Sequence, residues 1–288
     1  MNLKLICFGT LAWLSASTPA SAQEVPYFVT YSHHMEEPGS LEIGTKMAIG
    51  KPRNPGHRFF GDSTEFEYGT TAWWTTELYV DVTGTKDEST VFGGFRLENR
   101  IRPLMREFWI NPVLYFEFGD INGADKSVLE VVGHDAAADF VDDVQQTRQE
   151  KKREVEFKLI LSSDVKGWNF SENLIFEKNL NNSPWEFGYA LGASRPLRLR
   201  ASAAACTFCL DNMSTGAELY GGLGDRYTSG LHNTSQYAGP VAQWQIPNGP
   251  RFSFETGFGL NNYSLPHIVR IGVAYEFDQI FRRKGGLQ

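Results

Sequence analysis

Three arginines, Arg96, Arg100 and Arg102, are spaced i, i+4 and i+6. In an extended chain successive side chains alternate between faces, so this spacing puts all three guanidinium groups on one side. The equivalent side of neighbouring stretches carries Glu77, Asp81, Glu98, Glu117, Glu154, Glu156, Lys158, Glu186, Glu218, Glu255 and Arg270. Fixed charges lining one surface support two chemistries. They can form a charged constriction that selects solutes. Alternatively, they can neutralise one another as buried ion pairs, which are expensive to break. Adding Glu42, Glu65, Glu67, Glu177 and Glu276, and Lys46 and Arg251, gives 14 acidic against 7 basic residues on that face. A passage lined this way would prefer cations.

Other reactive residues offer less. Asp120-Ile-Asn122-Gly-Ala-Asp125 looks like a fragment of a calcium loop, but the full oxygen set and its register are absent. It reads as a solvated turn, with a cation site bridging lipopolysaccharide as the functional alternative. His33 and His34 are adjacent on a stretch that reads as a strand, so their rings should diverge. His57, His134, His232 and His267 are single, all six histidines read as surface residues, and no metal or cofactor site is expected. His232, Asn233 and Ser235 are close in sequence, yet no Gly-x-Ser-x-Gly elbow is present. An embedded lipid hydrolase is the minor alternative, and no catalytic residue is assigned. Cys206-Thr-Phe-Cys209 lacks the context of a redox motif and the further ligands of a zinc site. In an oxidising compartment this pair suits a small loop disulfide.

The elements that must position these charges are strands. In His267–Phe277, Val269, Ile271, Val273, Tyr275 and Phe277 alternate with Arg270, Gly272, Ala274 and Glu276. That period of two marks a strand with one oily face. The same pattern recurs at 26–34, at 41–49, in one long run at 65–82, and at 91–102, 109–119, 154–161, 168–178 and 185–193. It appears again at 214–224, 236–246 and 251–260. The count is twelve, with 51–62 read as a Pro/Gly-broken connection and 195–212 as a loop holding both cysteines. Residues 120–152 are charged and aperiodic, and read as a long external loop with room for a short helix.

Met1–Ala22 has Lys4, an apolar run Leu5–Leu14 and Ala20-Ser21-Ala22, the pattern of a cleavable export signal that would also remove Cys7. No later apolar run is long enough for a spanning helix. Any crossing must therefore be made by strands. Aromatic content is 14% with 28 glycines, which suits a barrel with interface girdles. A net charge of -7 without a basic patch excludes nucleic acid as a partner.

A soluble two-sheet sandwich would also place charges on one face. Strands of about ten residues or more, with aromatic ends, fit a tilted bilayer crossing better. The reading is therefore all-β: residues 23–277 form a single antiparallel transmembrane β-barrel of about twelve strands, closed by pairing the last strand with 26–34. Residues 278–288 form a tail, in which Phe281 competes with Phe277 as the terminal aromatic.

The export signal, the alternating strands and the final IVRIGVAYEF together resemble a bacterial outer-membrane β-barrel protein. The blocks RPLMREFWINPVLYFEFGDINGADK and WEFGYALGASRPL are loosely similar to uncharacterised transporter-like barrels of the meta-pathway phenol-degradation kind. The resemblance implies the Gram-negative outer membrane as location, lipids, lipopolysaccharide and the barrel-assembly machinery as partners, and porin-like transport of small or hydrophobic solutes. The competing expectation is a structural or interaction barrel whose lumen is plugged by salt bridges.

Overall fold

The computed structural model describes residues 25–53, 56–181, 183–200, 202 and 206–280. The expected export signal at 1–22 and the residues of the tail from Phe281 onward lie outside them. Twelve strands follow one another: β1 (Leu41–Gly50), β2 (Phe59–Thr71), β3 (Trp74–Thr85), β4 (Thr90–Ile101), β5 (Asn111–Asn122) and β6 (Lys151–Val165). The circuit continues through β7 (Trp168–Asn179), β8 (Glu186–Pro196), β9 (Met213–Asp225), β10 (Gln236–Gln245), β11 (Arg251–Gly259) and β12 (His267–Phe277). Each pairs antiparallel with its sequence neighbours, and β1 pairs with β12 to close the ring. Closure satisfies every backbone edge, which is what hydrocarbon demands of a sheet. With twelve strands, both ends of the barrel chain lie at one mouth, the near end. The far end carries the long β5–β6 connection.

The strand count matches the periodicity, but two assignments differ. Residues 26–34 form no strand, and β12 pairs with Leu41–Gly50 instead (Leu41 opposite Phe277, Ile49 opposite Val269). The run 65–82 is a hairpin, β2 and β3 joined by the two-residue turn Ala72–Trp73, and β2 begins at Phe59, inside the expected connection. The alternation passes through this turn unbroken. A bulge between Gly69 and Thr71 sets the pairing so that Phe66 lies opposite Leu78 and Glu67 opposite Glu77. Even-numbered residues therefore point outward on both strands. Length is the signal that separates the two readings: 18 residues at about 3.3 Å each reach roughly twice the ~30 Å hydrocarbon core.

Outward positions form an apolar band: Phe66, Leu78, Leu97, Leu114, Phe116, Phe157, Phe176, Leu191, Phe254 and Val273 are all exposed. Aromatics crowd the near end (Trp73, Phe108, Trp109, Trp168, Tyr275, Phe277) and recur at the far end (Phe92, Tyr227, Phe258, Tyr263), as interface girdles do. No helix among the described residues is long and apolar enough to cross a membrane. Ile271, opposite Met47 on β1 and Phe254 on β11, lies mid-strand on this band. Ile271→Arg is expected to cost about 2–4 kcal/mol, the depth-dependent penalty for a cation on a barrel's lipid face. Reversible urea unfolding in lipid vesicles measures it.

Two segments fill the interior. From the near end, residues 25–40 rise into the lumen and return to the same mouth. From the far end, the β5–β6 connection (123–150) folds inward instead of standing outside as an external loop. It carries a 3-10 turn at Ala137–Phe140 and a single helical turn at Val144–Thr147. Phe28 and Val29 of the first segment and Val128, Val131 and Ala137 of the second share one apolar cluster with Tyr220, Tyr237 and Ile268 of the wall. The wall is notched to receive them. A Cβ at Gly61 would stand 2.2 Å from the Lys126 backbone, and one at Gly69 would stand 2.0 Å from the Glu37 carbonyl oxygen. Only glycine permits such close approach of two backbones.

Candidate functional site

The site is the occupied lumen, and wall carboxylates hold the near-end segment in place. Glu218 on β9 accepts three consecutive backbone N–H groups, from Phe28 and Val29 at 3.0 Å each and from Thr30 at 2.7 Å. A segment with no strand partner has donors to satisfy; the chain bends at Phe28 and Val29, which turns three consecutive N–H groups toward one buried carboxylate. Asn173 on β7 pairs with Tyr31 in both directions: the Tyr31 N–H donates to Oδ1 at 2.6 Å, and Nδ2 donates to the Tyr31 carbonyl at 2.9 Å. The Tyr27 hydroxyl donates to Asn169 Oδ1 at 3.1 Å, and the Tyr31 hydroxyl donates to Glu98 at 3.1 Å. Burial, reinforced by the Glu98 and Glu77 charges, pushes the Tyr31 hydroxyl well above the usual phenol value, so it remains a donor.

The predicted charges are gathered into clusters. Arg100 contacts Glu67 and Glu77, lies 3.2 Å from Glu98, and has its guanidinium 5.5 Å from the centre of the Tyr31 ring. Arg96 bonds Asp81 at 2.7 Å and lies 3.7 Å from Glu117. It also reaches Asp125 at 2.5 Å and the Ser127 hydroxyl at 3.2 Å. Lys158 pairs with Glu156 at 2.8 Å and sits over the rings of Tyr115 and Tyr31, 4.1 and 4.7 Å from their centres. Arg270 pairs with Glu255 at 2.5 Å and donates to the Val128 carbonyl at 2.8 Å. Glu154 and Glu186 stand toward the far end, where Asn179 reaches Glu154 at 3.5 Å and Glu186 lies against Gly133 of the inward loop.

Three expectations change here. Arg102 lies beyond the end of β4 and bonds Glu107 at 2.5 Å and the Leu104 carbonyl at 3.0 Å, so it belongs to the near-end mouth and not to the wall. Asp125 is no solvated turn residue, because the inward loop delivers it to Arg96. His33 is no surface residue: it is 1% exposed. The chain bends at His33, which defeats strand alternation and brings the His33 and His34 rings within 4.6 Å. Burial, with His34 beside it, holds the His33 imidazole below its ordinary value.

Sequence reasoning missed Asn173, Asn169 and the lumen role of Tyr27–Tyr31. Asn169, Ser171 and Asn173 share one face of β7, and a polar, uncharged row there was the available hint. Ser235 is buried, and its hydroxyl donates to the Asp135 carbonyl at 2.6 Å and lies 3.1 Å from that of Tyr263, so its proton is committed to backbone. Cys206 and Cys209 are disulfide-bonded in the near-end connection between β8 and β9.

Between the near-end segment and the wall of β1, β2, β3, β11 and β12 remains a cavity of about 100 Å³, lined by Tyr31, Met35, Lys46, Glu65, Glu77 and Arg100 among others. It has room for several waters. The near-end segment and the β5–β6 connection occupy the rest of the described interior.

No protein-family model matches the chain, and no curated protein matches it in sequence. Solved structures do share its fold. An outer-membrane channel from Pseudomonas putida F1 superposes with a TM-score of 0.56 at 10% identity, covering 85% of this chain and 98% of that one. The KdgM porin, solved with disordered oligogalacturonate, gives 0.44 at 13% identity over 83% and 99% of the two chains. The translocator domain of the autotransporter NalP from Neisseria meningitidis gives 0.42 at 14% identity over 85% and 90%. The chain thus has the fold of bacterial outer-membrane barrels.

Proposed function

We propose that the protein is a gated outer-membrane channel for small solutes, with residues 25–40 as the gate. The observation that carries this reading is how the segment is held. It enters and leaves by one mouth and is fastened by hydrogen bonds to Glu218, Asn173, Asn169 and Glu98 rather than by strand pairing. Water can replace those bonds one by one, so the segment can withdraw while the barrel stays closed. Once it has withdrawn, Glu42, Glu65, Glu67 and Glu77 line the vacated side, facing Lys46, Arg100 and Arg251. The resulting passage is acidic, and cations are favoured. The channel structure that shares the fold is consistent with this role.

Planar-bilayer recording of the full chain tests the proposal. Infrequent openings with a reversal potential displaced toward cations are expected in a salt gradient. Anion selectivity would refute the acidic passage. Silence that persists after the segment's anchors are removed would favour the purely structural barrel, whose interior is permanently filled.

A further inference from the structure

At the near-end mouth, His33, His34 and Asp164 each bring one ligand atom within 4.8 Å of the others. The tautomer of His33 follows from its neighbours. The Ser171 hydroxyl donates to Asn169 Oδ1 at 2.8 Å, so its oxygen is free to accept from the Ser162 hydroxyl at 2.9 Å. With its own proton spent, Ser162 Oγ can only accept, and it accepts from Asn169 Nδ2 at 3.2 Å and from His33 Nδ1 at 2.8 Å. In the tautomer that donates Nδ1–H to Ser162, the neutral ring presents a bare lone pair at Nε2. That lone pair is buried and has no hydrogen-bond partner. It faces the oxygens of Glu107 at 3.0 Å and Asp164 at 3.7 Å. A lone pair aimed at two carboxylates is repulsive unless a cation lies between them.

We propose that His33, His34 and Asp164 bind a divalent transition-metal ion of the zinc class, with Glu107 at the open side as a fourth ligand. Two imidazoles and a carboxylate, with one further position, are the donor set that Zn²⁺ takes in tetrahedral sites. Ligand atoms on such an ion stand about 3.3 Å apart for bonds of ~2.0–2.1 Å, so the side chains need close in only slightly. The supporting shell is in place. Ser162 fixes the His33 ring through Nδ1, and Asn169 Nδ2 holds Asp164 Oδ1 at 2.7 Å, while Asp164 Oδ2 lies 3.0 Å from His34 Nε2, so a metal would take the place of the proton between those two ligand atoms. His34 and Asp164 also line a cleft of about 290 Å³ beside Trp168 and Pro196, which gives an ion a way in. The bound ion would tie the 25–40 segment to the tip of β6. Binding itself requires nothing of the channel reading.

The test is titration of tag-free, full-length protein in detergent micelles with Zn²⁺ and separately with Mg²⁺. Binding is read by calorimetry, and Co²⁺ absorption serves as a second signal. One Zn²⁺ per chain, no Mg²⁺ binding and an intense visible Co²⁺ band are expected. Asp164→Asn, a half-exposed change at the strand tip, should weaken Zn²⁺ affinity by at least the ~10–100-fold that loss of an outer-shell partner costs, and His33→Ala at least as much. Absence of saturable Zn²⁺ binding would overturn the proposal. So would binding that both variants leave unchanged, which would place the ion elsewhere.

Discussion

Glu218→Ala should turn a closed barrel into a conducting one. Its carboxylate accepts three adjacent backbone N–H groups from Phe28, Val29 and Thr30. A hydrogen bond to a charged group contributes about 1.5–3 kcal/mol, and some of that is recovered when water or a neighbour takes its place. A net loss of about 3–4 kcal/mol is a reasonable expectation for the cluster, which lowers the ratio of closed to open forms roughly 10²–10³-fold. Single-channel recording reads this as a rise in open probability with unchanged unit conductance. Glu218→Gln keeps an accepting oxygen of the same reach and should fall between Ala and the parent. If Glu218→Ala leaves open probability at the parental level, the segment is not the gate. The barrel must still be folded for the comparison to hold, which heat-modifiable migration on gels establishes.

The second large effect is on stability. Arg100 is 7% exposed and is the cation that Glu67, Glu77 and Glu98 share. Arg100→Met fills similar volume but removes the cation that this carboxylate cluster shares. Removing one partner from a buried ionic group costs about 3–5 kcal/mol, because the charges left behind have lost their compensation. Arg102→Met, two residues along the same sequence pattern, should cost at most about 1 kcal/mol, since its partner Glu107 is 62% exposed and water screens the pair. Urea unfolding of both variants in one lipid checks the contrast. Equal losses would mean that Arg102 is part of the wall after all.

That pair of arginines also shows how far the sequence could be read. Period-two spacing correctly placed Arg96 and Arg100 on the inner face, because a strand's geometry makes face a matter of parity. It could not say where β4 stops. Arg102 has the right parity and lies one residue past the end of the strand. The same limit explains Pro26–His34. Tyr27, Val29 and Tyr31 alternate in sequence whether the segment pairs with a neighbouring strand or lies along the inside of a finished wall. What decides between these is the supply of partners. Leu41–Gly50 fills the place beside β12, and Glu218 and Asn173 offer the displaced segment its acceptors from 142 to 190 residues away in sequence. No local pattern records a contact at that separation. The convergence of His33 and His34 was hidden for a related reason: it depends on a bend at His33 that only a chain released from strand pairing can adopt.

The position of residues 25–40 also dictates an order of assembly. Its anchors come from β4, β7 and β9, so its docking site does not exist until most of the circuit has been built. The seam between β1 and β12 joins the two ends of the circuit, and it sets in register without any contribution from residues 25–40. The wall must therefore be completed first and stoppered afterwards, by a stretch of chain that is already tethered at the mouth it enters. Between those two events the interior is filled from the far end alone, by the β5–β6 connection, and the near-end half of the lumen stays open to water until Phe28–Thr30 finds Glu218.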